Sequence, residues 1–482
     1  MKVSLRIIAP LSVIILLSFF LFFPSFSTYF HQDDFTHMTY SDTFSKVISS
    51  FNLFAKGDFP FYRPIPTQVY FYFLKHFFGL NPFPYHAVNF ILFILNILIL
   101  YRLSTYLTKS SQAGIFSSLF YAVNSTHIAP LFSPAYCHEL FLVFFGLLSV
   151  YSLATNKTGR SILFFILALM SKETAVVLPG ILILTYIYEK KKIPSKSEFK
   201  KLGIFILLSV IYFLAHAIFY GFASSSSYKV IIGKATFQIL FWYFLWALSV
   251  PNIFIDFLLP HLKISPVWHQ VAGANSSVFF IFFGVFAVLL FFLMIWSIKY
   301  VKGSIYTLFY SLFWFVIALL PLIIFPLHKL ATEQALALAG LSIYLGSVLS
   351  SAFKEKGLFK IISFLMIVFY LVHASNSILL ARRTHWVILS ARQAEKTLFA
   401  LRLKYPILPD DSIIYFKNGE IKIPQYGSAK QIYQALGNGA AINILYNDNK
   451  IQSYFEDVKD LPPDVKKSKL VLEFDSSKFL GY

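Results

Sequence analysis

Uncharged apolar stretches about as long as a bilayer is thick recur along this chain, separated by short tracts of Lys and Arg. The first runs from Ile7 to Phe23 without a single charge. A crossing helix needs about 20 apolar residues, and lipid offers no partner to an unpaired backbone group, so such stretches must be helical. Spans are expected near 6–26, 86–107, 112–129, 138–154, 160–171, 174–188, 202–220, 277–297, 304–325, 334–352 and 358–380. The pair at 160–171 and 174–188 is short for a crossing. Phe237–Leu259 is also apolar, but Pro251, Asn252 and Asp256 interrupt it, and counting it would reverse every later loop. A bent interfacial or re-entrant segment is expected there, which leaves eleven spans, with twelve as the other count.

Composition agrees. Of 482 residues, 57% are hydrophobic, 19% aromatic and only 13% charged, against about 25% charged in a soluble domain. Mean hydropathy is +0.67. The formal charge of +19 would suit nucleic acid if it formed one basic face. Instead Lys109, Lys157 with Arg160, Lys190–Lys192 with Lys196, Lys200 and Lys201, Lys299 with Lys302, and Lys354 with Lys356 and Lys360 fall between spans. Cytoplasmic loops carry such excesses, so the charge reports topology and anionic lipid, not nucleic acid. With Lys2 and Arg6 the N-terminus is expected in the cytoplasm and the first span is read as an uncleaved anchor. Cys137 is the single cysteine, so neither an intrachain disulfide nor a thiolate cluster can form.

After Leu380 the chain becomes charged. Residues 382–404 read as a helix; Ser412–Phe416, Ile442–Tyr446 and Leu470–Phe474 read as strands between turn residues. The expected organisation is an all-α polytopic membrane domain over 1–380 with a long first outer loop at 27–85, and a small extracytoplasmic α/β region over 381–482.

The unusual residues concentrate in the segments assigned to the outer face. Directly after the first span comes His31-Gln32-Asp33-Asp34. Adjacent carboxylates beside a bilayer repel each other and are costly to desolvate. The same face is expected to carry Tyr62-Arg63-Pro64, the stretch Leu80–Asn89, Asn124-Ser125-Thr126-His127, His138-Glu139, Ser171-Lys172-Glu173-Thr174 and His328–Glu333. The middles of the spans are nearly free of charge. A transporter more often places ionisable groups at mid-membrane and shows two related halves.

The order of these motifs resembles the GT-C superfamily of integral-membrane glycosyltransferases. The nearest likeness is to protein O-mannosyltransferases, especially the transmembrane and tetratricopeptide-repeat type, and to bacterial lipid-linked-sugar transferases. It rests on Asp33-Asp34, Tyr62-Arg63-Pro64, Leu80–Asn89, His127, Glu139 and Ser171-Lys172-Glu173-Thr174 with Pro179, across residues 1–190, with a weaker echo at His328–Glu333. The resemblance implies a polyprenyl-phosphate-linked sugar donor, a hexose such as mannose, and inverting transfer to an extracytoplasmic glycan, lipid or protein acceptor at the plasma (inner) membrane. It implies Asp33 as general base, with Asp34 the second candidate. Arg63 and Lys172 would meet the donor phosphate, Arg as a fork and Lys as a point charge. His127, Glu139, Glu173, His328 and Glu333 would contact donor or acceptor. No resident cofactor is implied by the nearer relatives; a divalent ion on Asp33, Asp34 and Glu139 is the variant that metal-dependent relatives suggest.

The chain departs from that pattern in places. Ala129 stands where the tetratricopeptide type carries an acidic residue, Cys137 stands where it carries an arginine, and the C-terminal helical repeats are missing. Plainer roles also fit single residues: Asp33-Asp34 as a helix cap, Arg63 snorkelling to headgroups, Lys172-Glu173 as a local ion pair, and His127 and His328 as hydrogen-bonded structural histidines. At the level of the whole chain, a transporter or flippase of lipid-linked glycans and a non-catalytic envelope scaffold are the other readings.

Overall fold

The computed structural model describes residues 5–56, 61–221, 226–259, 261, 263–409, 412–419, 427–448, 451–468 and 470–479. The chain begins with α1 (Leu5–Phe22) and builds its first loop from α2 (Asp33–Tyr40), α3 (Phe44–Ser49), a π-helical stretch at Pro64–Val69 and α4 (Tyr70–Phe78). There follow α5 (Pro82–Thr108), α6 (Ser111–Ala122), α7 (Ile128–Phe132), α8 (Cys137–Ala154), α9 (Thr158–Leu169), α10 (Leu178–Lys190) and α11 (Lys196–Phe219). Beyond α12 (Lys234–Ala247) and α13 (Val267–Ala272) come α14 (Asn275–Tyr300), α15 (Ser304–Ile323), α16 (Ala335–Lys354) and α17 (Leu358–Thr384). The C-terminal part holds α18 (Trp386–Lys404), β1 (Ile413–Lys417), α19 (Ser428–Ala435), α20 (Ala440–Tyr446), β2 (Gln452–Phe455), α21 (Pro463–Ser468) and β3 (Val471–Asp475).

Among the described residues, eight helices are long and apolar enough to cross a membrane, those built on α1, α5, α8, α11, α14, α15, α16 and α17. This is an integral membrane protein with an all-α body. The other three expected spans are present as α6, α9 and α10, of 12, 12 and 13 residues. At 1.5 Å per residue, helices this short cover only about 18–20 Å, so the expected count of about eleven resolves into eight crossing-length helices and three short ones. Helix α6 is largely enclosed by protein, whereas α9 exposes Leu163 by 54%. On α6, Ala113 and Ser117 lie so close to Gly346 of α16 that a Cβ there would overlap both. Small residues that let helix backbones approach are the usual device inside a bilayer. A hydrogen bond of 2.8 Å between Ser110 and Ser350 extends this seam, and Gly340 of α16 makes room for the Trp314 ring of α15.

The interrupted segment 237–259 does bend. Helix α12 stops at Ala247, Ser249 takes φ 65°, and after Pro251 the chain forms a 3-10 turn at Asn252–Phe257.

The C-terminal part contains a three-stranded sheet of order β2-β1-β3, all parallel, with Ile413 opposite both Gln452 and Val471. Two of the three expected strands are present, each displaced by one residue. The third, Ile442–Tyr446, is instead helix α20. Its apolar run is too short to separate strand from helix by periodicity. Its flanks decide: Gly439 and Asn447 bracket it in left-handed conformation, and Ala440-Ala441 favour a helix. The strand that takes its place, β2, has only four residues and little sequence signal.

A single apolar cluster joins this region to the first loop. Phe30, Phe35, Met38, Tyr70, Phe71 and Tyr85 are buried in it with Leu398, Ile414, Phe416, Ile432, Ile442 and Phe455. The segment carrying the acidic pair is therefore held from the C-terminal side.

Candidate functional site

Helix α2 starts at Asp33, immediately after a strained residue. Gln32 has φ 43° and ψ −114°, a conformation costly for a residue with a Cβ. Two contacts hold it: its backbone N–H donates to Ala435 O at 2.9 Å, and its amide donates to Ser390 Oγ at 3.3 Å. Both partners belong to the C-terminal region.

The two carboxylates that follow have opposite surroundings. Asp34 is fully buried. It accepts from His31 N at 2.9 Å on one oxygen, and from Ser133 Oγ at 3.0 Å and Ala135 N at 2.6 Å on the other. It ties the start of α2 to the turn before α8. Burial still pushes its carboxyl up to about 7 against the pull of those donors. Asp33 is exposed, facing a cavity of about 190 Å³ that it lines with His37, Tyr40, Arg63, Tyr136 and His138. Although water reaches it, protein walls surround it on most sides. That enclosure raises its carboxyl above the ordinary range, while His138 and Arg63 pull the other way. Burial, reinforced by the charges of His138 and Arg63, keeps His37 neutral.

Behind this cavity lies an ion network drawn from four separate segments. Arg63, just before the π-helical stretch, donates from Nε and Nη2 to the two oxygens of Glu173 at 2.8 and 2.6 Å. Lys172, in the loop between α9 and α10, is buried and pairs with Glu139 in the first turn of α8 and, at 3.1 Å, with Glu333 just before α16. Glu333 faces His328 at 3.2 Å, and His138 faces Glu139 at 3.6 Å. Burial would lower the pKa of Arg63 and Lys172, but their carboxylates outweigh it and hold both above their usual values. Burial would raise Glu173, and Arg63 outweighs it in turn, bringing it to about 2. Arg63, Lys172 and Glu173 are thus charged at neutral pH.

The structure sorts the residues expected from sequence. Asp33, Arg63, Glu139, Lys172, Glu173, His328 and Glu333 gather around the cavity and its ion network. Asp34 is an internal brace. His127 lies apart from them in an aromatic niche: its Nε2 meets Tyr121 O at 2.7 Å, and its ring sits 4.7 Å from Phe93 and 4.6 Å from Tyr121. Burial lowers it to about 4, so it is uncharged. The cations expected to be free for a phosphate are each already paired, although Arg63 Nη1 makes no hydrogen bond among the described residues.

Sequence reasoning missed three contributors, Tyr136, Tyr228 and Phe61. Tyr136 lines the cavity beside His138, which the sequence places on the same face. Tyr228 stacks on His328 with ring centres 4.5 Å apart, a contact with no local signature. Phe61 lies under the Arg63 guanidinium at 4.6 Å.

The divalent ion considered on Asp33, Asp34 and Glu139 does not fit. Asp34 spends both oxygens on internal donors, and Glu139 is held by Lys172. Among the described residues no three His, Cys, Asp or Glu side chains converge as ligands would. The two departures noted in sequence are also enclosed. Ala129 is buried in apolar surroundings, and the Cys137 thiol points at Pro66 O, 3.4 Å away.

No family model matches this chain, and no curated protein matches it either. Among solved structures, the chain is similar to an oligosaccharyltransferase from Archaeoglobus fulgidus, crystallised in complex with zinc and sulfate. The match has 14% identity and a TM-score of 0.41, and covers 91% of this chain and 61% of that one. The chain thus spans about three-fifths of that protein's length.

Proposed function

We propose that this chain is a membrane glycosyltransferase that moves a sugar from a polyprenyl-phosphate donor to an acceptor hydroxyl on the extracytoplasmic side. The observation that carries the proposal is the split fate of the acidic pair. Asp34 is locked inside the protein, while Asp33 is the one carboxylate of the pair presented to a cavity, beside Arg63 and His138.

In this reading Asp33 accepts the acceptor's hydroxyl proton. The acceptor oxygen forms its bond to the anomeric carbon as the bond from that carbon to the phosphate oxygen breaks, inverting the centre. The polyprenyl phosphate leaves with the bonding electrons as an anion. A base works best when its pKa approaches the working pH, and the enclosure of Asp33 shifts it that way. Arg63, fixed by Glu173, has Nη1 left to meet the departing phosphate. The Lys172 network then serves as a rigid charged floor that fixes Glu139 and Glu333 near the sugar. A flippase gains no support from charges gathered at helix ends.

The test is Asp33→Asn assayed with a polyprenyl-phosphate sugar and a soluble acceptor. Loss of a general base lowers turnover by roughly a hundredfold or more, while donor retention persists. Rates in the wild type rise with pH through the raised Asp33 pKa, because only the carboxylate can take the proton. Undiminished transfer by the variant would remove Asp33 from the role.

A further inference from the structure

The largest of the cavities described is not the one at Asp33. It encloses about 400 Å³ and lies where the end of α1 meets the end of α17 and the start of α18. Its polar lining is dominated by Arg382, Arg383 and Arg392, with the single acid Glu395. Pro24, Ser27, Thr28 and Tyr29 form the opposite wall. None of these residues lines the Asp33 cavity.

Three features set this pocket apart. First, none of the three guanidiniums makes an ion pair or hydrogen bond to another described residue, Glu395 included. Three like charges in one recess repel one another, and an anion between them removes that cost. Second, Arg382 and Arg383 sit at the end of α17 opposite Lys354, Lys356 and Lys360. Basic residues normally collect at one side of the membrane, so clusters at both ends of one span are not explained by topology alone. Third, an apolar track leads to the pocket. Val13, Leu16 and Phe20 on α1 and Phe23 directly after it recur at helical spacing, are 54–70% exposed, and end at the pocket residue Pro24. Leu379 of α17, 43% exposed, belongs to the pocket itself. An arginine-lined recess of headgroup size at the end of an exposed apolar track matches a lipid with its headgroup among the arginines and its chain along α1.

We infer that this pocket is a binding site for an anionic phospholipid headgroup, held by Arg382, Arg383 and Arg392, separate from the Asp33 cavity and independent of the transfer proposed above. Guanidinium forks suit phosphate oxygens, and the surrounding leaflet supplies the ligand at high local concentration.

The test uses the purified, delipidated full chain and native mass spectrometry with added phosphatidylglycerol, phosphatidylcholine or inorganic phosphate. The wild type retains phosphatidylglycerol in preference to phosphatidylcholine. The variant R382Q/R383Q/R392Q binds phosphatidylglycerol at least about tenfold more weakly, while R382K/R383K/R392K, which keeps the charge, retains most of it. Should the triple glutamine variant fail to fold, R383Q alone at its exposed position still lowers retention. Equal retention of the two lipids, unchanged binding by a folded glutamine variant, or displacement of the lipid by equimolar inorganic phosphate would overturn the inference, the last by marking a site for free anions.

Discussion

Arg63 and Glu173 lie 110 positions apart in the chain and meet in a two-pronged ion pair at 2.6 and 2.8 Å. The pair fastens the first loop to the turn between α9 and α10, at the wall of the cavity that Asp33 faces. Its Arg63 side is nearly buried and its Glu173 side is 29% exposed, so solvent screens part of the attraction. Arg63→Met leaves a carboxylate facing protein without its partner and is expected to lower stability by about 1–2 kcal/mol. The double variant R63M/E173M removes both charges and recovers most of that loss. Thermal unfolding in detergent measures both. Transfer activity stays low in the double variant, because a methionine offers nothing to a phosphate. A double variant as active as wild type would show that the pair is only a strut.

Lys172 makes the stronger case for cost. It is buried against Glu139 and Glu333. Lys172→Met strands two carboxylates among apolar helix ends and is expected to destabilise by about 3–5 kcal/mol. Adding Glu139→Gln to that variant removes one stranded charge and recovers part of the loss, which unfolding midpoints of the three proteins would reveal. Additive losses would mean that Lys172 and Glu139 do not interact energetically.

Much of this site was legible because the sequence places Glu139, Lys172 and Glu333 at the ends of apolar stretches and Arg63 in a loop assigned to the same face. What such placement does not carry is direction. Asp33 and Asp34 share a depth, and only the turn at Gln32 sends one to the cavity and the other inward. Likewise His127 belongs to a segment assigned to the same face but packs against Phe93 and Tyr121. The short strand β2 and the helix α20 were illegible for a related reason: four to seven residues of mixed apolar character carry too few periods to identify.

The buried Asp34 gives the protein a pH signature. Its carboxyl stands at about 7 when folded and at about 3.9 when unfolded. Between these values the folded state holds more protons than the unfolded one, so stability falls as pH rises from about 4 to about 7. Asp34→Asn cannot ionise and is expected to flatten that part of the profile. The variant is also less stable at low pH by about 1–3 kcal/mol, because its NH2 faces either the His31 N–H or the donors from Ser133 and Ala135. Unfolding midpoints across that range compare the two slopes, and parallel slopes would exclude Asp34 as their source.

The strained turn at Gln32 depends on a glycine 405 positions later in the chain. Gly437 adopts φ +59°, and a Cβ there would lie 2.6 Å from Gln32 O and 3.1 Å from Phe35 Cβ. Neither neighbour can yield easily, since one is backbone and the other roots a side chain in the shared apolar cluster. Gly437→Ala therefore combines a left-handed backbone penalty with a clash, about 1–3 kcal/mol in all. The clash also pushes on the turn that aims Asp33, so turnover in the proposed transfer should fall by more than the loss of folded protein explains. The comparison to make is Asn438→Ala, a neighbouring position also at positive φ (60°). It bears a similar backbone penalty without pressing on Gln32. If the two variants lose activity equally per folded molecule, the C-terminal region does not position Asp33. A selective loss in Gly437→Ala would make Gly437 a positioning residue for a carboxylate it never touches.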